Sequence, residues 1–528
     1  MNASLASTPT PTPAQNPSRR RYFAYVIFTL CASLYLLPFM RVLLPGMSEG
    51  LLLDRAVSVA HGGIFGRDFF EIVGPGTYYW LALFFKLFGV TFVATRICLF
   101  LSSLGTAFLM YFLSRRVCHR YQALPCLLLF ATYFGGLWPQ ISHHTDSNFV
   151  ALLAFACMVL WQDSRKNSLL FAAGFLAGAT TWFLQPKGVL LVCALGVWLW
   201  ALHWRRSGNL SRLGMLAGGY LSAIAGVLLY FWSRGALKDF VYEIFLWPSR
   251  HYSTVGTVPY ADGILKYYWN HWVQPMHGFN WTVGLGVVLI IPFLVVAVLP
   301  VLLPILGFRH RVATIKPEIL LYWVCGWALW LSEFHRKDIL HLVFGSPLLL
   351  ILCVFYLQAS RGKVTEYALQ ILAISAGCLA IFNLFLVLSA HPVATRVGTV
   401  AMFKDDPVLT FLDENVAPGT DIFAYPFCPI YYFLSATKNP TRYTAFVYGS
   451  TTPAQYQEAI RDLDLHKVRY VVWDTNFETS VADTVFPAAA HMPPQGFLVE
   501  PYLESHYTVM KDVHGVLIME RKNAYLTK

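Results

Sequence analysis

Gly74-Pro75-Gly76-Thr77-Tyr78-Tyr79-Trp80-Leu81-Ala82-Leu83-Phe84-Phe85-Lys86-Leu87-Phe88 is the stretch on which the topology turns. Its apolar part, Trp80 to Phe88, is either a membrane span or a helix lying in the interface, and the basic residues decide between the two. Arg115, Arg116 and Arg120, then Arg165 and Lys166, then Arg205, Arg206 and Arg212, then Arg309, Arg311 and Lys316, then Arg361 and Lys363 stand in short links between apolar runs. With Trp80 to Phe88 left out of the count, all of them fall on the side of Arg19, Arg20 and Arg21; counting it as a span reverses every later link. Lys and Arg in short loops favour the cytoplasmic side. The stretch therefore reads as an interfacial helix, the N-terminus as cytoplasmic and the C-terminal region as external.

Working outward, 56% of the 528 residues are hydrophobic and 13% charged, more apolar surface than soluble cores can hide. Apolar runs near 23–44, 93–113, 121–139, 147–161, 168–184, 187–204, 212–232, 281–306, 317–332, 339–358 and 366–389 are each about long enough to cross a ~30 Å hydrocarbon core. The expected fold is an α-helical polytopic membrane protein of about eleven spans plus interfacial helices. The formal charge of +11 lies in the links, so it does not indicate nucleic acid. Residues 1–22 read as a disordered cytoplasmic tail, and 23–389 as the transmembrane domain, with long outer loops at 45–92 and 233–280. No small-residue cleavage pattern follows the apolar Phe23 to Leu44, so this first helix reads as uncleaved.

Residues 390–528 read as an extracytoplasmic, periplasmic α/β domain, with helices at Val408 to Asn415 and Pro453 to Leu463 and strands at Asp421 to Tyr425 and Val468 to Trp473. Of the 10 cysteines only Cys428 lies in this polar region, which argues against a disulfide framework, and no Cys/His spacing suggests zinc.

Charge near a bilayer is costly, so charged residues at the outer helix ends are the candidate chemistry. Glu49, Asp54, Arg67, Asp68 and Glu71 lie on the first outer loop. His143, His144 and Asp146 open the run near 147–161, where Asp146 suits either a helix cap or a functional carboxylate, and adjacent histidines point apart rather than pairing on a metal. In Gln185-Pro186-Lys187-Gly188 the proline suits a first helical turn, and Lys187 beside free amide N–H groups makes a phosphate site. Glu333-Phe334-His335-Arg336-Lys337-Asp338-Ile339-Leu340-His341 emerges on the same side, with Asp338 and His341 sharing a helical face. The aromatics Trp247, Tyr252, Tyr260, Tyr267, Tyr268, Trp269 and Trp272 of the second outer loop read as an interfacial belt or as a grip on lipid or glycan. Carboxylates and a cation at the lipid boundary suit glycosyl transfer from a lipid phosphate, which needs a base for the acceptor and positive charge for the departing phosphate.

Met47-Ser48-Glu49-Gly50, Gly63-Ile64-Phe65-Gly66-Arg67-Asp68-Phe69-Phe70-Glu71, Gly74 to Trp80, Phe88-Gly89, Arg96, Asp146, Lys187-Gly188 and Asp338-Ile339-Leu340-His341 occur in an order that resembles the GT-C superfamily of polyprenyl-phosphate-sugar-dependent glycosyltransferases. It resembles especially the bacterial aminoarabinose transferase and protein O-mannosyltransferase branch. The resemblance implies an inverting transferase that moves a hexosyl or pentosyl group from a polyprenyl-phosphate carrier to lipopolysaccharide, another glycan, a lipid or a protein at the outer face of the bacterial inner membrane, without cofactor or metal. It implies Glu49, Asp68 and Asp146 as catalytic residues, Lys187 and Arg336 as phosphate contacts, and His144, Glu71, Asp338 and His341 as substrate contacts. The family opens its acidic motif with Asp-Glu, the Asp being its proposed base; this chain has Ser48-Glu49, which moves the base to Glu49 or Asp68. Two rivals belong to other classes. A transporter or flippase would carry polar groups at the midplane and repeated halves, and a non-catalytic scaffold would use the same fold only to bind partners.

Overall fold

Out of water, a chain must close its backbone hydrogen bonds internally, and the apolar runs do so as helices. The computed structural model describes residues 17–43, 47–133, 140–206, 210–253, 255–266, 281–309, 316–360, 362–477, 486–488 and 499–522. Helix α1 (Pro17–Leu36) leads through a 3-10 turn into α2 (Met47–Ala60) and α3 (Gly76–Phe88). Next come α4 (Phe92–Val117), α5 (Leu124–Tyr133), α6 (His143–Ser164), α7 (Asn167–Phe183), α8 (Gln185–Arg206) and α9 (Ser211–Ser233). After the short α10 (Leu237–Val241) and a series of π-helical turns, α11 (Trp281–Arg309), α12 (Pro317–Ser332), α13 (Ile339–Gly345), α14 (Pro347–Ala359) and α15 (Lys363–Leu388) complete the bundle. A helix stands at every expected span. Seven of the described helices are long and apolar enough to cross a membrane, or eight if α13 and α14, bent by 74°, form one span. Helices α7 and α12, of 17 and 16 residues, and the ten-residue α5 are shorter. The chain is a multi-pass membrane protein.

The stretch from Gly74 forms α3, and both of its ends touch elements of one face of the bundle. At its start Thr77 bonds Asp146 in the first turn of α6. A Cβ on Gly74 would stand 2.2 Å from the Trp182 carbonyl oxygen near the end of α7. Near its other end Phe85 stacks on Phe433 of the C-terminal region. The helix therefore lies along that face, as the interfacial reading expects. The described basic links gather at the opposite face. Arg165 and Arg212 both lie over the Trp161 ring, at 4.6 and 5.6 Å, Arg116 pairs with Asp163, and the Gln358 side chain accepts from His119 N and Arg120 N at 3.1 Å.

Beyond α15 the chain forms a hairpin of β1 (His391–Thr395) and β2 (Gly398–Met402), then α16 (Pro407–Asn415), β3 (Ile422–Tyr425), α17 (Ile430–Leu434), α18 (Pro453–Leu465), β4 (Tyr470–Asp474), α19 (Val499–His506), β5 (Tyr507–Val513) and β6 (Val516–Arg521). The main sheet has the order β3-β4-β6-β5, with β3 and β4 parallel and the other pairs antiparallel. The expected helices and strands are present; the two hairpins, α17 and α19 are additions. This domain is seated on the bundle by backbone bonds, Leu43 N to Ala401 O at 2.9 Å and Phe92 N to Val397 O at 2.8 Å. Its buried side chains continue the core of the membrane helices.

The tightest seat is at Gly50 of α2, where a Cβ would come within 2.3 Å of the Ile430 backbone nitrogen. Gly50→Val should therefore push α17 off α2 at a cost of about 1–3 kcal/mol, the usual range for overpacking. Thermal unfolding in detergent should show a lowered midpoint, and limited proteolysis faster release of the C-terminal domain. An unchanged midpoint would mean that this contact does not hold the domain.

Candidate active site

The site is organised by the start of α6. Ser142 caps the helix by accepting from His144 N at 3.2 Å, as serine at an N-cap does for the otherwise unpaired first amides. Successive helical residues turn by about 100°, so His144 and Asn148 share one side and Asp146 stands nearly opposite.

On the first side Lys187 Nζ donates to Asn148 Oδ1 at 2.7 Å and pairs with Glu333 Oε1 at 2.8 Å. The same Glu333 oxygen lies 3.2 Å from His144 Nδ1. His144 packs flat on Phe344 at 4.7 Å and edge-on to His341 at 4.8 Å. His341 Nδ1 is 2.8 Å from Asp338 Oδ1, and Asp338 in turn pairs with Arg336 at 3.4 Å. Arg336 donates to the Gly256 carbonyl and lies over the Phe486 ring. The result is a buried polar chain from α8 through the α12–α13 loop to the second outer loop. On the other side of α6, Asp146 accepts from Thr77 Oγ1 at 3.0 Å and Ser102 Oγ at 2.8 Å.

Lys187 and Glu333 have no exposed surface. Gly188 is required beside Lys187 because a Cβ there would come within 2.2 Å of Thr181 Oγ1, so the α7–α8 corner closes tightly around the lysine. Burial opposes charge on Glu333, but the neighbouring His144 and Lys187 outweigh it and hold the carboxyl well below its usual range. Burial also opposes charge on Asp338, where His341 and Arg336 prevail and keep it ionised. His335, ringed by the same groups, is pushed down to about 4 by burial and by His341, and is neutral near pH 7.

The remaining expected carboxylates lie elsewhere. Glu49 is fully buried; Arg96 binds both of its oxygens, and Ile141 N donates to Oε1 at 3.0 Å. Asp68 pairs with Arg67 at 2.8 Å on the surface and accepts from Ile64 N, and the Arg67 hydrogen bond holds its carboxyl below the usual range. Neither faces Lys187 as an acceptor of protons. Glu71 belongs to a latch between the loops and the C-terminal domain. It meets Arg55 at 3.3 Å and Thr444 at 2.6 Å, and its own N–H donates to Glu243. Arg55 also touches Asp54 and donates to the Arg442 carbonyl, and Arg442 pairs with Glu243 at 3.1 Å. Burial raises the Asp54 and Glu71 carboxyls and pushes Glu243 up to about 9.

The structure thus brings Lys187, His144, Asp338, His341 and Arg336 into one network. It puts Glu49 and Asp146 at other positions around the start of α6, and it removes Asp68 and Glu71 from the network. Glu49 stands against Arg96 and Ile141 N, and Asp146 against Thr77 of α3 and Ser102 of α4. Arg336 connects to Lys187 through Asp338, His341, His144 and Glu333. Sequence reasoning did not assign Glu333 or Asn148; the signal for Asn148 was its i,i+4 spacing from His144, and for Glu333 its place at the outer end of α12. Of the second-loop aromatics, Trp247 is buried edge-on against Phe70 and Tyr252 packs against Phe486. Tyr260 bonds the Ala297 carbonyl, and Tyr267, Tyr268, Trp269 and Trp272 lie outside the described residues. No cluster of three or more metal-ligating side chains occurs among the described residues.

Residues 73–232 match the family model described as dolichyl-phosphate-mannose-protein mannosyltransferase. The fold is similar to that of ArnT from Cupriavidus metallidurans bound to undecaprenyl phosphate, with a TM-score of 0.57 and 12% identity over 96% of this chain and 99% of that one. The apo state of the same protein matches with a TM-score of 0.54 and 12% identity over 97% and 99%. No curated protein matches the sequence. The GT-C resemblance drawn from the ordered motifs is borne out by these matches, and the fold is of the GT-C type.

Two outcomes follow from this geometry. Removing one partner of a buried ion pair costs about 3–5 kcal/mol, whereas replacing both by apolar groups is often nearly neutral. Arg96→Met alone should therefore lower the unfolding midpoint sharply, and Arg96→Met with Glu49→Leu should recover most of it; equal losses would show that the pair does not hold the start of α6. For Glu243 the folded chain keeps a proton between pH 4.5 and about 9 that the unfolded chain has lost. Stability contributed by this group thus falls as pH rises through that window. Glu243→Gln should flatten the slope and raise the midpoint at the alkaline end, and a slope equal to that of the unmodified chain would exclude Glu243 as its source.

Proposed function

We propose that this protein is an inverting membrane glycosyltransferase that takes a sugar from a polyprenyl-phosphate carrier and passes it to an acceptor on the outer face of the bacterial inner membrane. The N-terminus is then cytoplasmic and the C-terminal domain periplasmic. The observation that carries this reading is Lys187: a fully buried ammonium in the first turn of α8 is a cation suited to a phosphate; the amides of Lys187 and Gly188, expected to be free, bond the Leu184 carbonyl instead. The family model over 73–232 supports glycosyl transfer, and the undecaprenyl phosphate of the similar ArnT structure supports a carrier of that class.

In the reaction the acceptor oxygen forms a bond to the anomeric carbon as the bond from that carbon to the phosphate oxygen breaks. The electron pair leaves on the phosphate, where the Lys187 ammonium stabilises it. The acceptor's proton goes to a carboxylate. Asp146, whose hydrogen-bond partners are two hydroxyls and no cation, is the carboxylate best suited to take it. Glu49, tied to Arg96 and Ile141 N, orients the entry to α6 rather than moving protons. The acceptor is a lipopolysaccharide, another glycan, a lipid or a protein of the cell envelope.

Purified protein given radiolabelled undecaprenyl-phosphate sugars and envelope extract should release undecaprenyl phosphate with transfer of label. Lys187→Met should slow this by about a hundredfold, the scale of removing one charge-stabilising donor, and Asp146→Asn comparably. Full activity in Lys187→Met would overturn the phosphate role, and binding without turnover in the unmodified chain would favour the scaffold. A reporter fused after Ala390 that proves cytosolic would overturn the proposed face.

A further inference from the structure

Lys187 carries no exposed surface, yet a phosphate site needs its charge to be available. An ammonium has three donors, and two are directed at Asn148 Oδ1 and Glu333 Oε1. Asn148 is neutral, so the charge of Lys187 is balanced by Glu333 alone among these two. Glu333 is held in an asymmetric way. Its Oε1 lies between Lys187 Nζ at 2.8 Å and His144 Nδ1 at 3.2 Å, while its Oε2 is buried with no hydrogen-bond partner among the described residues. The carboxylate therefore has two alternative partners on one oxygen and nothing on the other to restrain it. Behind His144 stands His341, 4.8 Å away edge-on, itself braced by Asp338.

Resting on the donor-phosphate reading of Lys187, we propose that Glu333 is an internal counter-anion that occupies the phosphate site when it is empty. The incoming phosphate displaces it from Lys187, and it is then retained by His144. Two anions cannot share one buried ammonium without repulsion, because a charge pair a few ångströms apart interacts far more strongly there than in water. Moving the carboxylate onto His144 relieves that repulsion and leaves Lys187 to the phosphate. No covalent step is involved, and any proton gained is shared between Glu333 and His144. Glu333 in this scheme is a positioning residue: it keeps the lysine charged and aimed, and it lowers affinity for the lipid phosphate enough that product can leave.

The sign of the effect separates this role from a structural one, since a damaged fold does not bind more tightly. The full-length protein in detergent should be titrated with undecaprenyl phosphate and, as a neutral control, undecaprenol. Glu333→Gln, isosteric and uncharged, should tighten undecaprenyl phosphate binding by about tenfold or more at a fixed pH, with undecaprenol binding unchanged. Glu333→Asp keeps the anion and should keep the affinity of the unmodified chain. His144→Ala removes the alternative partner and should weaken phosphate binding by about tenfold in the unmodified background but not together with Glu333→Gln. Unchanged or weaker phosphate binding by Glu333→Gln, or equal tightening by Glu333→Asp, would overturn the proposal. Equal affinity of the unmodified chain for the phosphate and the alcohol would instead sink the donor-phosphate reading, and this inference with it.

Discussion

Keeping charge on a lysine without exposed surface calls for an anion against it, and at Lys187 this constraint organises one end of the helix bundle. The cost of stripping water from an ammonium is several kcal/mol or more, so Glu333 has to reach Lys187 from the far end of another helix. That requirement fixes where α12 ends relative to where α8 begins. The loop that carries Glu333 also carries Arg336 and Asp338, and Asp338 caps α13 by accepting from His341 N; the bend between α13 and α14 falls farther on, where Pro347 opens α14.

The same economy governs the first outer loop. Glu49 and Arg96 are buried together, and through Ile141 N they set the approach to α6. The helix that follows presents Asn148 and His144 to one neighbour set and Asp146 to another. Farther from the membrane, Arg55, Glu71, Glu243 and Arg442 repeat the pattern with less balance, three acids when Asp54 is included against two arginines. There the excess is met by protonation rather than by a further cation. The C-terminal domain is therefore an integral wall of the outer face, joined to the bundle by a continuous apolar core and by this latch.

The helices were legible because apolar runs of that length obey a strong physical rule, and a helix stands at each of them. Lys187 was legible from Pro186 and the helix start, and the Asp338–His341 pair from its three-residue spacing. What stayed hidden were contacts whose partners lie far apart along the chain: Glu49 with Arg96, 47 residues on; His144 with Glu333, 189 residues on; Glu71 with Thr444, 373 residues on. Loop carboxylates look alike in sequence, and only their burial separates Glu71, locked in the latch, from Asp68, paired at the surface. The β1–β2 and β5–β6 hairpins were missed for a related reason. Their strands alternate weakly, with runs such as Tyr507–Val513 exposed over most of their length, so period-two patterning gives little signal.

Ser48 stands where the resembling family places its base, so in the proposed reaction the proton acceptor has to be another carboxylate. Glu49, next in the chain, is already held on both oxygens by Arg96. Asp146 has two hydroxyls and no cation as its hydrogen-bond partners. Asp146 stands in the first turn of α6, so its position is set by a helix rather than by the loops around it.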